Sequence, residues 1–299
     1  MESPLVPLLA RSYLYVPGDQ PAKLARALDR GADALIVDLE DAVAPAGKDA
    51  ARAAVAQWLS SLSPAAARRV WVRINAAAAG HADADAVVPH SPAGLVVAKT
   101  ESLAELHALD GVLRAAEERA GVEAGCTALV PLLESAAAVL DAAGIATAPR
   151  VVRLQLGEAD LRADLGITPG PDESELTFVR SHVVLVSAAR GLLPPVASTS
   201  VVVRDLDGLR RSTRALARLG FVGRTCIHPA QVPVVNEVFT PGAEEVAAAR
   251  SLLVRFDRSV AAGAGVLTDS AGSLVDEAVV RQARRLLTLA AADDPDGQD

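Results

Sequence analysis

Short β-branched and apolar runs recur along the chain, and each gives way to a polar turn or to a stretch rich in Ala, Leu and Arg. The runs are SYLYVP (12–17), ALIVDLED (34–41), RVWVRIN (69–75), GLVVAK (94–99), CTALVPLLES (126–135), VVRLQLGE (151–158), STSVVV (198–203) and GRTCIHP (223–229). Between them, 101–120, 173–191 and 207–219 carry apolar residues at spacings of three and four, the period of a helix that buries one face. Strands alternating with helices predict parallel pairing, because each crossover must return the chain to the same end of the sheet. Eight such units in about 230 residues predict an α/β fold of the (β/α)8 barrel type, with its chemistry on the loops that follow the strands. A doubly wound open sheet is the alternative, but no G-x-G-x-x-G follows the first strand.

After residue 230 the pattern changes to helices, expected near 242–262 and 275–290, with a small, Gly-rich segment at 261–277 that reads as a lid or arm. The expected division is a catalytic barrel at 1–230 and a C-terminal helical extension at 231–299, its polar tail from about 291 too poor in apolar residues to pack.

Composition narrows the function. Hydrophobic residues make up 51% of the 299 and aromatic residues only 3%, which suits helices on Val-rich strands better than a β-sandwich. A formal net charge of −8 disfavours nucleic acid and anionic membrane as partners, since both need a basic surface. An anionic substrate would therefore need a local cationic site. The N-terminus MESPLVPLLARS lacks the basic start and unbroken apolar run of a secretory signal, and the apolar segment 127–148 is interrupted by Pro131, Glu134 and Asp141. Cys126 and Cys226, a hundred residues apart in apolar surroundings, read as buried thiols, and a cytoplasmic location is expected.

In such a barrel the polar residues at the strand ends face one mouth. They are Asp38, Glu40 and Asp41 after the second strand, Arg73 and Asn75 in the third, Lys99 after the fourth, Glu134 after the fifth, Glu158 and Asp160 after the sixth, and His228 after the eighth. Five or six carboxylates converging on a partly desolvated mouth repel one another unless a cation or shared protons neutralise them. Mg2+ is the natural neutraliser, because it takes carboxylate oxygens and keeps several waters or substrate oxygens. Arg73 would place a permanent cation beside it, suited to a substrate carboxylate or a developing oxyanion, although a salt bridge to the second-strand carboxylates is a competing role. Lys99 is one of three lysines among 29 basic residues, so it is either a structural ion pair, a substrate contact or a Schiff-base amine. His228, before Pro229, is expected to hold a helix start, and His81, His90, His107 and His182 show no ligand spacing.

RSYLYVPGDQP (11–21), DLEDAVAPAGKDAAR (38–52), VRIN (72–75), KTES (99–102), LLES (132–135), GEADLRADLG (157–166) and CIHPAQ (226–231) occur in that order. Together they resemble the CitE-like branch of the HpcH/HpaI aldolase and citrate lyase β-subunit family, which includes malyl-CoA and citramalyl-CoA lyases. The resemblance implies a TIM barrel, a homotrimer or hexamer, that binds Mg2+ and cleaves or forms a carbon–carbon bond beside a coenzyme A or acyl-carrier thioester. It implies Glu134 and Asp160 as metal ligands, Arg73 and Lys99 as substrate contacts, and Glu40 and Asp41 as catalytic-site groups that orient metal-bound water. It also implies that GSLVDEAVVRQA (272–283) is the arm that reaches a neighbouring subunit, with Asp276 as its acid/base residue. The chain departs from the family pattern at Ala98, where Pro is usual, at Ala197, where an acid is expected, and in the loop 75–86. A citrate lyase β subunit, a malyl-CoA thioesterase, a Lys99 Schiff-base aldolase and a non-catalytic binding subunit are the alternatives.

Overall fold

A computed structural model describes residues 9–268 and 272–291. The chain divides into two compact units, Met1–Asn236 and Glu237–Asp299. Among the described residues no helix is long and apolar enough to cross a membrane.

The first unit is an α/β fold on a curled parallel sheet. Its strands are β1 (Ser12–Pro17), β2 (Ala34–Asp38), β3 (Val70–Ile74), β4 (Gly94–Val97), β5 (Ala128–Leu133), β6 (Gln155–Leu156) and β7 (Arg224–Cys226). They stand in the order β6-β5-β4-β3-β2-β1-β7, and every pair is parallel. The strands are buried almost throughout, as in ALIVD and ALVPLL, because helices cover one face and side chains fill the other. One alternation of the strands, Tyr13, Ile36, Trp71, Val96, Val130 and Val196, gathers in a single apolar cluster. The other, Leu35, Val37, Val70, Val72, Leu95 and Leu129, is just as deeply buried.

Helices lie where the three-and-four spacing predicts them, at Leu103–Ala120, Thr177–Ala189 and Leu206–Leu219. Ser102 caps the first of these by accepting the Glu105 N–H, and Gly121 ends it in the left-handed conformation at φ 66°.

The seventh expected strand is misplaced in the sequence reading. Residues 198–203 form no strand, and Val201 and Val202 are 67% and 58% exposed. The preceding residues take that place: isolated parallel bridges join Gln155 to Val196 and Ala197 to Arg224, linking the segment to both β6 and β7. Val196 and Ala197 are 1% and 0% exposed, so burial rather than β-branching selects which residues pair. Most expected strands also run past their observed ends, which leaves Glu40, Asp41, Lys99, Glu134 and Glu158 in the connections that follow.

The second unit contains the helices Ala243–Ala261 and Glu277–Ala291 and a short antiparallel pair, Leu267–Thr268 with Leu274–Val275. Phe256, Val275 and Val280 form its core. The expected lid at 261–277 thus holds this strand pair, and its residues 269–271 lie outside the described residues, as does the expected tail beyond Ala291.

Candidate active site

Register places the first two groups. Asp38 ends β2 and pairs with Arg73 of β3, so the carboxylate and guanidinium leave neighbouring strands at one level. Arg73 donates from Nε to Asp38 Oδ1 at 2.8 Å and from Nη2 to Oδ2 at 2.6 Å. The same carboxylate accepts the backbone N–H groups of Glu40 and Ala42 and so folds the loop after β2. Asp38 therefore serves as an anchor, with both oxygens occupied.

That loop carries Glu40 and Asp41 to opposite exposures. Glu40 is 5% exposed and bridges two cations, with Oε2 at 3.2 Å from Arg73 Nη1 and Oε1 at 2.5 Å from Lys99 Nζ. Asp41 lies on the open side, 3.7 Å from Arg73 and 3.4 Å from Lys99. Burial works against its charge, but a side-chain hydrogen bond with Glu40 and the two cations hold its pKa below the usual carboxylate value. Arg73 also lies over the Tyr15 ring, 5.1 Å from its centroid. Burial opposes the Arg73 charge, yet the Asp38 hydrogen bonds and nearby negative charges outweigh it and raise its pKa.

Lys99 is in the left-handed region at φ 50°, an uncommon conformation for a residue with a side chain. The turn aims its N–H at Glu134 Oε2, 2.8 Å away, while Nζ reaches back to Glu40. The hydrogen bond to Glu40, opposed by partial burial and helped by the Glu40 and Asp41 charges, raises the ammonium pKa above its ordinary value. An amine held protonated in this way is a poor Schiff-base nucleophile.

Glu134 follows β5 and is 6% exposed. Burial, reinforced by the Asp160 and Glu40 charges and opposed by the Lys99 N–H and Arg73, pushes its pKa up to about 7. Gly157 gives it room: a Cβ there would stand 2.5 Å from Glu134 Oε1. Asp160, exposed in the first turn of the helix Glu158–Leu165, lines the same cavity. That cavity measures about 740 Å3 and is walled by Tyr15, Arg73, Glu134, Gln155, Asp160 and His228 among others. Among the described residues no group of three or more His, Cys, Asp or Glu side chains is placed to hold a metal. Two carboxylates on one cavity, one of them raised by burial and by the charges of its carboxylate neighbours, fit a hard cation that completes its shell with water or substrate oxygens.

The remaining strand-end residues have other duties. Asn75 donates to Leu39 O and to the fully buried Asp83, tying β3 to the loop after β2. His228 Nδ1 accepts the Ala230 N–H and caps the turn Pro229–Gln231, the role expected of it. Glu158 is bound by Arg180 at 2.8 and 2.7 Å. Asp276 belongs to the second unit, where its Oδ1 accepts the N–H groups of Ala278 and Val279 at the start of the helix Glu277–Ala291.

Sequence reasoning missed Tyr15, Gln155 and Gly157. The two tyrosines of the chain stand at alternate positions of β1, so Tyr15 shared the inward face of Tyr13, a signal that was available. Gln155, 3% exposed, donates to the Tyr15 hydroxyl at 3.3 Å. Nothing local to Gly157 announced that it faces Glu134.

The family model for HpcH/HpaI aldolase/citrate lyase matches residues 11–229. Citrate lyase subunit beta of Leuconostoc mesenteroides subsp. cremoris is 32% identical over 290 residues, covering 95% of this chain and 94% of that protein. The mitochondrial citramalyl-CoA lyase of Rattus norvegicus is 30% identical over 296 residues, covering 94% and 86% respectively. Among solved structures, CitE of Mycobacterium tuberculosis in complex with magnesium, acetoacetate and coenzyme A has a TM-score of 0.75 at 30% identity, covering 94% of this chain and 97% of that one. The chain belongs to the HpcH/HpaI aldolase/citrate lyase family.

Proposed function

We propose that the protein is a Mg2+-dependent carbon–carbon lyase that cleaves or forms a β-hydroxyacyl-CoA thioester of the malyl or citramalyl type, releasing a keto acid and a shorter acyl-CoA. The observation that carries this reading is Glu134: a buried carboxylate raised to about 7, sharing a cavity with Asp160 and a fixed guanidinium. The citramalyl-CoA lyase among its relatives and the CitE structure with magnesium and coenzyme A support it.

Glu134 and Asp160 hold the ion. Magnesium, when bound, supplies positive charge that neutralises these carboxylates and polarises substrate oxygens. Arg73, locked by Asp38, meets the substrate carboxylate or the negative charge that develops as the thioester enolate leaves. Lys99 is a second cationic contact. Glu40 keeps both cations in place, and Asp41 orients water at the open side of the cavity. In cleavage the hydroxyl proton passes to the water that Asp41 orients and on to solvent as the carbonyl forms, the carbon–carbon electron pair passes to the thioester enolate, and the α-carbon takes up a proton. Asp276, carried on an arm from a neighbouring subunit of a homotrimer or hexamer, delivers that proton.

The architecture proposed for this chemistry is a closed (β/α)8 barrel, catalytic over 1–230, in which Val196 and Ala197 stand for the seventh strand and 231–299 forms the extension. The bridges from Val196 and Ala197 support that closure.

The test is to incubate the protein with malyl-CoA, methylmalyl-CoA and citramalyl-CoA, with Mg2+ or with EDTA, and to identify products by mass spectrometry. Keto acid and a shorter acyl-CoA, formed only with Mg2+, are expected. EDTA-insensitive turnover, or free thiol without carbon–carbon cleavage, overturns the reading, the latter in favour of a thioesterase.

A further inference from the structure

Two acidic side chains stand in the first turn of the helix Glu158–Leu165, and both line the 740 Å3 cavity. They are treated in opposite ways. Asp160 is exposed and makes no hydrogen bond or ion pair among the described residues. Glu158, 6% exposed, gives both oxygens to Arg180, Oε1 to Nε at 2.8 Å and Oε2 to Nη2 at 2.7 Å. Arg162 adds one long contact of 3.4 Å to Oε2.

Arg180 reaches across from the helix Thr177–Ala189 and is as buried as its partner. A second carboxylate holds it there: Glu173 Oε2 is 2.7 Å from Nη2, and Glu173 Oε1 takes Arg162 at 3.1 Å. Glu173 makes this contact from φ 52°, so the loop before the Thr177–Ala189 helix adopts an unfavourable backbone conformation at this residue. The network also borders a second cavity of about 580 Å3, which Glu158, Arg162, Glu173 and Arg180 line from its side. A planar fork that engages both oxygens of a carboxylate fixes its direction and neutralises its charge, and a carboxylate so held competes poorly for a cation.

We propose that Arg180 is a positioning residue that withholds Glu158 from the cation and so makes Asp160 the partner of Glu134. The inference rests on the reading of Glu134 and Asp160 as the metal site. Without Arg180, Glu158 is a second carboxylate in the same first turn, free to swing into the cavity that its side chain already lines.

The experiment is a Mn2+ titration followed by electron paramagnetic resonance, with no substrate present, on the wild type, D160N, R180Q, D160N/R180Q and D160N/R180Q/E158Q. D160N is expected to weaken Mn2+ binding about 100-fold. D160N/R180Q is expected to regain about tenfold of that loss, because Glu158 now serves as ligand, and E158Q is expected to abolish the regain. Circular dichroism checks folding. If R180Q does not fold, R180K, which keeps the charge but loses the fork, is used in its place and is expected to show a smaller regain. A folded D160N/R180 double variant as weak as D160N overturns the proposal while leaving the metal site standing. Wild-type protein that binds no Mn2+, or D160N that binds it undiminished, overturns the metal site and the proposal with it.

Discussion

Asp38 and Arg73 occupy one register position on adjacent parallel strands, and their side chains close a two-point ion pair of 2.8 and 2.6 Å. The pair aims the guanidinium into the cavity and anchors the loop that bears Glu40 and Asp41. Replacing Arg73 by Ala leaves Asp38 buried without its counter-charge, and loss of one partner of a buried pair costs about 3–5 kcal/mol. Chemical denaturation should show that loss. R73K keeps the charge without the fork, and its kcat should fall about 100-fold, the cost of one misplaced charge-stabilising donor, with most of the stability kept.

As the proposed metal ligand, Glu134 would link metal, protons and stability. Its pKa is about 7 in the folded chain against 4.5 for the free side chain, so the folded state holds the proton over a range where the unfolded state has lost it. Its contribution to stability is accordingly full below about 4.5 and lost as pH rises through about 7. The loss amounts to roughly 3 kcal/mol at about 1.4 kcal/mol for each pH unit of displacement. E134Q should flatten the decline of metal-free stability between those pH values. Mg2+ affinity of the wild type should rise with pH through the same window, because binding displaces the proton, and calorimetry at several pH values reads this directly.

Gly157 has a job that a side chain would spoil. A Cβ at that position would meet Glu134 Oε1 at 2.5 Å, so G157A must push the carboxylate aside. Mg2+ binding should weaken at least about tenfold in a folded protein, measured by calorimetry beside a melting curve. Unchanged affinity would mean that Glu134 does not hold the ion in its present position.

Lys99 is held as an ammonium by Glu40 and Asp41. Borohydride added during turnover should therefore trap no covalent adduct, and mass spectrometry of the intact chain should return the unmodified mass. K99G relieves the φ of 50° while keeping the N–H that faces Glu134. That variant should retain Mg2+ binding within about tenfold and lose substrate affinity, a rise in KM rather than a loss of metal.

Much of this architecture was legible because β1 to β5 are continuous apolar runs bounded by turns, and parallel pairing follows from the helices between them. The seventh strand was not, since STSVVV carries the stronger β-branched signal and Val196–Ala197 the burial, and burial depends on residues far away in sequence. Polar strand ends were legible as candidates for the mouth. Their division of labour was not: Asp38 spends its oxygens on Arg73 and a turn, and Glu158 spends its own on Arg180, contacts that span 35 and 22 residues. The separation of Glu158 from Asp160 comes from a helix that the motif GEADLRADLG does not include.

The two tyrosines of β1 each lie under a guanidinium, Tyr13 beneath Arg153 at 5.6 Å and Tyr15 beneath Arg73 at 5.1 Å. Because the chain has no other tyrosine, the tyrosine part of its ultraviolet difference spectrum has only two contributors, read beside the bands of Trp58 and Trp71. Arg153 is sealed in the interior, 1% exposed, and provides a constant background. Displacement of Arg73 as a ligand arrives should therefore perturb the Tyr15 band, an optical gauge of the cavity that requires no label and no turnover and that Y15F should silence.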